Sequence, residues 1–175
     1  MLIWRTADTT PDNLRAVARN AEGETECLVR DDGLETLITC DHGRKPEGVE
    51  EVATRRVHNV GINGPDGGNW LFVVGIWTPA ECGRELCAWY EEEHAPMLMQ
   101  CADWKGVDLH ESPCKSGRQF HVLHRLADRT ALDSPHRAAS RRTPWFNQLS
   151  THTWFDAAFQ RSLYRRTLLV QATSN

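Results

Sequence analysis

No apolar run in this chain of 175 residues approaches the roughly 20 needed to span a bilayer. Its opening, MLIWRTADTTPDNLR, lacks the charged-then-apolar order of a secretion signal. Both absences argue against a membrane protein and for a cytoplasmic one. None of the six cysteines (Cys27, Cys40, Cys82, Cys87, Cys101, Cys114) forms a CxxC pair, so reduced thiols are expected rather than a zinc site or a disulfide framework. Basic tracts are missing too. The net charge is −4, and Arg55-Arg56, Arg141-Arg142 and Arg165-Arg166 stand scattered among acidic residues, so nucleic acid is not an expected partner.

With 40% hydrophobic residues, the chain can build one compact domain, or two small halves sharing a core. The stretch NWLFVVGIW (69–77) is apolar at nearly every position and predicts a strand covered on both faces. In WTPAE, Thr78 is placed to cap the amide of Glu81, Pro79 suits a first helical position, and Glu81 can close a capping box. A helix is predicted from there towards His94, ending where Pro96 disfavours helical geometry at Ala95. KGVDLHE (105–111) and RQFHVLHRLA (118–127) read as strands joined by SPCKSG. Ser134-Pro135 opens another helix, and SLYRRTLLVQ (162–171) reads as a final strand. The order is β-α-β-β-α-β, a ferredoxin-like unit.

The first 60 residues repeat that order in reduced form. MLIWRTA reads as a strand, TTPDNLRAVARNA as a Thr-Pro-capped helix, and TECLVRD with LETLITCD as a strand pair turning at Asp32-Gly33. GVEEVATRR is expected to be a short helix and VHNVGI a last strand. The expected division is a degenerate half over 1–62, a linker over 63–68 (NGPDGG) and a complete half over 69–175. A ferredoxin-like sheet covers one face with its helices and leaves the other in need of a partner, so two such sheets facing each other would enclose a cavity.

WTPAECGRELCAWYEEEHAPML, then QFHVLHRL, then TPWFNQL resemble the dimeric α+β barrel superfamily. Within it they resemble the EthD-like proteins, including tandem versions. The most specific piece is Trp89-Tyr90 followed by Glu92, Glu93, His94 and Pro96; the first half has no His-x-Pro of its own. The resemblance implies an α+β fold of two ferredoxin-like halves, the first degenerate, facing each other in one barrel-like domain. It also implies either a monomeric pseudo-dimer or a homodimer. Members of the superfamily include cofactor-free monooxygenases, polyketide cyclases, muconolactone-type isomerases, and haem-binding peroxidases and dehydratases, so the chemistry has to come from the site.

An imidazole exchanges protons near neutral pH, and His94 falls four residues after Tyr90 on much the same helix side. A helix C-terminus and Glu91 would favour the charged ring, while burial would oppose them. The plainer alternative is a histidine that binds free carbonyls at a helix end, with EEE as a solvated face. His124 shares its strand face with Phe120, Val122 and Leu126, while His121 points the other way. His124 is either core filler or a cavity wall. Asp108 and His110 share a face and could form an oriented second base. Glu91-x-x-His94 has metal-site spacing without the second motif such sites need, so no metal is expected.

Of seven tryptophans, six fall in the second half and serve either as packing or as a flat-walled pocket. The expected catalytic residues are His94, Tyr90 and His124, with Trp77, Trp89, Asp108, His110, Phe120 and Trp145 as substrate contacts. The expected function is a cofactor-independent enzyme acting on a hydrophobic aromatic or polyketide-like molecule by proton transfer: a cyclase, isomerase or dehydratase. A cofactor-free monooxygenase, a haem protein with His94 over an apolar pocket, and a non-catalytic ligand-binding barrel stay open.

Overall fold

The computed structural model describes residues 2–19, 21–53, 55–62, 67–112, 114–156 and 159–170. Among the described residues, nine strands form a single sheet. The first half supplies β1 (Leu2–Thr6), β2 (Ala21–Arg30), β3 (Thr36–Gly43), β4 (Glu50–Ala53) and β5 (Arg55–Gly61), with α1 (Pro11–Ala18) between β1 and β2. The second supplies β6 (Trp70–Thr78), β7 (Trp104–Ser112), β8 (Arg118–Leu126) and β9 (Gln160–Val170). Its helices are α2 (Gly83–Trp89), α3 (Ala95–Leu98), α4 (Pro135–Ser140) and α5 (Pro144–Leu149). Of the expected linker, residues 63–66 lie outside the described residues.

The strand order is β4-β1-β3-β2-β9-β6-β8-β7-β5. Within each half it is fourth-first-third-second, the ferredoxin-like order, and the halves join where β2 pairs antiparallel with β9. β4 pairs with β1 at one end of the sheet and β5 pairs with β7 at the other. These two strands are neighbours in the chain, so both ends of the sheet meet on one stretch and the sheet curls round on itself. Ser112 Oγ at the end of β7 donates to the Val52 carbonyl of β4 across that meeting.

Where a helix was expected over GVEEVATRR, the described residues form β4 and the start of β5. Alternation sends Val49 into the core under α1 and Val52 towards the opposite face. The strands β1 and β7, remote in sequence, supply backbone partners that a short isolated helix would lack.

The all-apolar reading of β6 is explained by its two covered faces. Leu71 and Val73 join Ile3, Leu28, Leu37, Leu123 and Tyr164 inside the curled sheet. Phe72, Val74 and Ile76 face Leu86, Trp89 and Leu98 in the helix layer. Thr10, Ser134 and Thr143 cap α1, α4 and α5 through their hydroxyls, each followed by proline. Gly33, at φ +74°, closes the β2–β3 turn.

Thr78 does not cap. It is the last residue of β6, paired with Arg118, and is fully buried. The β6–β8 ladder claims it as strand. A turn closed by Cys82 N–H to the Pro79 carbonyl follows, and α2 begins only at Gly83.

Candidate functional site

Pro96 does not end the helix at His94. After α2 the chain continues through one π-helical turn, Tyr90–His94, and then into α3. The Ala95 amide bonds to the Tyr90 carbonyl, five residues back, and Ala95 keeps helical angles of φ −63° and ψ −45°. Proline has no N–H to give to a carbonyl four residues earlier, and the wider turn accommodates this while the axis runs on. His94 thus lies within a continuous helical segment rather than at a fraying end. Widened turns of this kind re-aim side chains and occur frequently at functional sites.

Around it the helix and the outer sheet face enclose aromatic rings. His94 stacks on Trp89 at 4.2 Å and meets Tyr90 edge-on at 5.0 Å. His124, on β8, lies 5.6 Å from Phe72, 5.3 Å from Trp104 and 6.2 Å from Tyr90. His94, His124, Tyr90, Trp89 and Trp104 line one pocket. Its cavity volume is about 40 Å³, and it opens to solvent. Arg137, Arg141, Arg161 and Asp156 also line it.

Burial dominates the electrostatics. It lowers the His94 pKa to about 3, with repulsion from Arg141 and Arg137 in the same direction and a backbone hydrogen bond to Ser140 opposing. His124 is held well below the ordinary imidazole value, first by burial and then by His94. Both rings are neutral near pH 7. The expected stabilisation of a charged His94 by a helix end fails because the segment does not end there. Burial pushes the Tyr90 phenol pKa well above its usual value, so it stays protonated.

Three buried polar atoms on this lining have no hydrogen-bond partner among the described residues: His94 Nδ1, His124 Nδ1 and Trp104 Nε1. With Nδ1 unpaired, the Ser140 bond belongs to His94 Nε2–H, and Nδ1 of that neutral ring holds the lone pair.

The acidic run is only partly a solvated face. Glu91 and Glu92 are exposed. Glu93 Oε1 accepts from Trp89 Nε1 at 3.1 Å and from the hydroxyl of Thr143, the cap of α5. This carboxylate fastens the histidine helix to the helix that covers it.

The structure brings His94, Tyr90, His124 and Trp89 together, and takes the other expected contacts elsewhere. Asp108 and His110 point into the curled sheet, where Asp108 meets Asn59 at 2.8 Å and Arg56 at 3.2 Å. Residue parity on β7 puts them on the face opposite Val107 and Leu109, which pack under the helices. Trp77 is exposed at the end of β6, bonding the Ser116 carbonyl. Phe120 is core, and Trp145 packs against that core outside the pocket lining. The pocket therefore lies between helices and sheet, not between two facing sheets.

The curled sheet holds an apolar cluster, and a separate depression is lined by Arg5, Val52, Ser112, Gln119 and His121. The curled sheet also holds Glu26, which forms ion pairs with Arg125 at 2.7 Å and Arg166 at 3.5 Å and accepts from the Thr39 hydroxyl at 3.2 Å. Trp104 and the arginines were not singled out from the sequence. The one available signal was Arg137 and Arg141, four apart after the Ser134-Pro135 helix start.

With a cavity volume of about 40 Å³, the pocket is too small for a haem as its side chains stand. Among the described residues no group of three or more His, Cys, Asp or Glu could hold a metal ion. No helix of the described residues is long and apolar enough to cross a membrane.

No family model matches the sequence, and no curated protein matches it significantly. Solved structures do match, across nearly the full length. An anthrone oxidase-like protein has TM-score 0.65 and 10% identity over 99% of this chain and 93% of its own. A monooxygenase-like protein from Listeria innocua has TM-score 0.65 and 15% identity, covering 95% and 93%. A ferredoxin-fold protein from Listeria monocytogenes, related to antibiotic biosynthesis monooxygenases, has TM-score 0.64 and 14% identity, covering 95% and 94%. At these identities the likeness is one of architecture, and that architecture is the ferredoxin-like dimeric α+β barrel, here with both halves in one chain.

Proposed function

We propose that the chain is a small-molecule enzyme that needs no organic cofactor and begins its reaction by taking a proton from an enolisable or phenolic substrate. The observation that carries this reading is the pair of neutral imidazoles, His94 from the helix and His124 from the sheet, with unpaired buried Nδ1 atoms on one pocket lining. Unsatisfied buried polar groups cost about 1–3 kcal/mol each, and a ligand that pairs with them accounts for their retention.

In this reading His94 Nδ1 accepts the proton. An isolated imidazolium is strongly disfavoured there, but the enolate formed beside it supplies the missing counter-charge in a low-dielectric pocket. Trp104 Nε1–H is a donor suited to the developing oxyanion. Tyr90 stays neutral and packs edge-on against His94, holding the ring in place. His124 is a second acceptor for a substrate hydroxyl. With a cavity volume of about 40 Å³, only the leading edge of a substrate enters between these side chains.

Within this scheme, enolate formation serves either isomerisation and cyclisation or direct reaction with oxygen. The named activities of the similar structures, anthrone oxidase-like and monooxygenase-like, support the oxygen branch. Trp89-Tyr90 and His94-x-Pro96 support an EthD-like assignment within the superfamily.

The test supplies a panel of enolisable aryl ketones, including anthrone, and follows oxygen uptake and absorbance together. His94-dependent oxygen uptake is the expected result. Absorbance change without oxygen uptake moves the reading to the isomerase branch. Turnover that His94→Ala leaves intact, or no turnover across the panel, overturns it.

A further inference from the structure

The pocket's mouth carries a charge surplus that proton transfer at its closed end does not require. Among the described residues three guanidiniums line it, against one carboxylate, that of Asp156. Arg141 pairs with Asp156 at 3.5 Å, and Arg161 pairs with the same Asp156 oxygen. Arg137 forms no ion pair with a carboxylate among the described residues; it donates to the Leu132 backbone carbonyl. One carboxylate thus serves two arginines and the third has none, on a chain whose net charge is −4.

Each of these guanidiniums lies over an aromatic face: Arg137 over Phe72 at 5.6 Å, Arg141 over Phe146 at 5.7 Å, and Arg161 over Phe159 at 5.3 Å. Stacking fixes the plane of a guanidinium and leaves its N–H edge free for a ligand. Arg137 and Arg141 stand four apart across α4, so they share one side of it. Burial of Arg137, then repulsion from Arg141 and Arg161, lowers the pKa of its guanidinium, with Asp133 opposing. Three cations held close at some cost to one another call for a counter-anion. Phe72, beneath Arg137, also flanks His124, so the cationic mouth and the imidazoles border one continuous depression.

We propose that the substrate is an aromatic carboxylic acid whose carboxylate is held at the mouth by Arg137, with Arg141 and Arg161 beside it, while its reacting edge enters towards His94 and His124. A planar carboxylate matches the guanidinium fork with two parallel hydrogen bonds. The assignment rests on the proton-transfer reading for the role of the inner end, but the carboxylate site is testable without turnover.

The probe is 2-naphthoate, compared with neutral 2-naphthamide of the same shape and with 2-naphthyl phosphate. Binding is read by quenching of tryptophan fluorescence, since Trp89 and Trp104 line the pocket. Naphthoate is expected to bind about tenfold or more tighter than the amide. Arg137→Gln is expected to erase that preference while leaving amide affinity unchanged. Arg141→Gln, at an exposed position, should reduce the preference in part and guards against misfolding of the first variant. His94→Ala should leave it intact, so failure of the proton-transfer reading stays distinguishable from failure of this one. Equal affinity for naphthoate and amide, or a preference that survives Arg137→Gln, overturns the proposal. Tighter binding of the phosphate than of the carboxylate overturns the choice of anion.

Discussion

Trp89 and His94 stack at 4.2 Å with their planes 27° apart, although five positions separate them. At about 3.6 residues per turn such positions diverge around an α-helix; the π-helical turn between them brings them together. Glu93 ties Trp89 to the cap of α5. Glu93→Ala should therefore cost about 1–2 kcal/mol of stability and lower activity by roughly tenfold, as the ring under His94 loses its anchor. Glu93→Gln keeps an acceptor for both donors and should restore most of each, measured by urea unfolding and by kcat/KM.

Replacing a buried imidazole whose Nδ1 is unpaired by an apolar ring removes an unsatisfied atom at little cost in packing. His124→Phe should leave stability unchanged or raise it by about 1 kcal/mol, with loss of turnover. His94→Ala should lower turnover by about a hundredfold or more. A thermal scan beside the activity assay checks both. A large fall in Tm for His124→Phe would mean that this ring is structural.

With the His94 pKa lowered to about 3, the base is already deprotonated throughout the neutral range. An ordinary imidazole loses half its activity near its usual pKa of about 6.5. The kcat/KM profile should instead remain flat from pH 8 down to about 5. An acid limb near 6.5 in a folded sample contradicts the burial seen around His94.

The same burial makes the fold acid-sensitive. Folded-state pKa values are about 3 for His94, about 4 for His110 and His121, and well below normal for His124. In the unfolded chain each returns to about 6.5, so below that pH the unfolded state binds more protons. The native state is fully favoured above about pH 6.5 and loses ground as pH falls towards 4, by up to about 1.4 kcal/mol per pH unit per histidine. Asp108, whose pKa is raised by burial, offsets part of this. Urea midpoints at pH 7.5 and 5.0 should differ widely, and His124→Phe should narrow the gap.

Glu26 holds Arg125, Arg166 and Thr39 inside the curled sheet. Glu26→Ala leaves buried cations without their counter-charge and should destabilise by about 3–5 kcal/mol. Because this cluster is separated from the pocket by the sheet, the folded fraction should keep its kcat. Chemical denaturation with activity normalised to folded protein decides it.

Most strands and two of the capped helices were legible because their signals are local: both-face apolarity in β6, Thr or Ser before Pro at α1 and α4, and Asp32-Gly33 in a turn. The GVEEVATRR segment was misread because its strand character comes from partners far away in sequence. Thr78 was misread because a cap signature and a strand end compete for the same residue, and ladder pairing prevailed. At the site, parity along β8 separated His124 from His121, and helical spacing joined Tyr90 to His94. The layer holding the pocket was not legible, since nothing local tells whether the inner or the helix-covered face of a sheet holds space. Nor was the π-helical turn, which Pro96, the second residue of α3, disguised as a stop.

The stretch formed by β4 and β5 belongs to both ends of the sheet at once. Like a buckle on a belt, it makes the duplicated halves inseparable. Residues 69–175 expressed alone would bare backbone edges on β7 and β9 and would tend to self-associate through them. The intact chain, its ends fastened to each other, should melt in a single step.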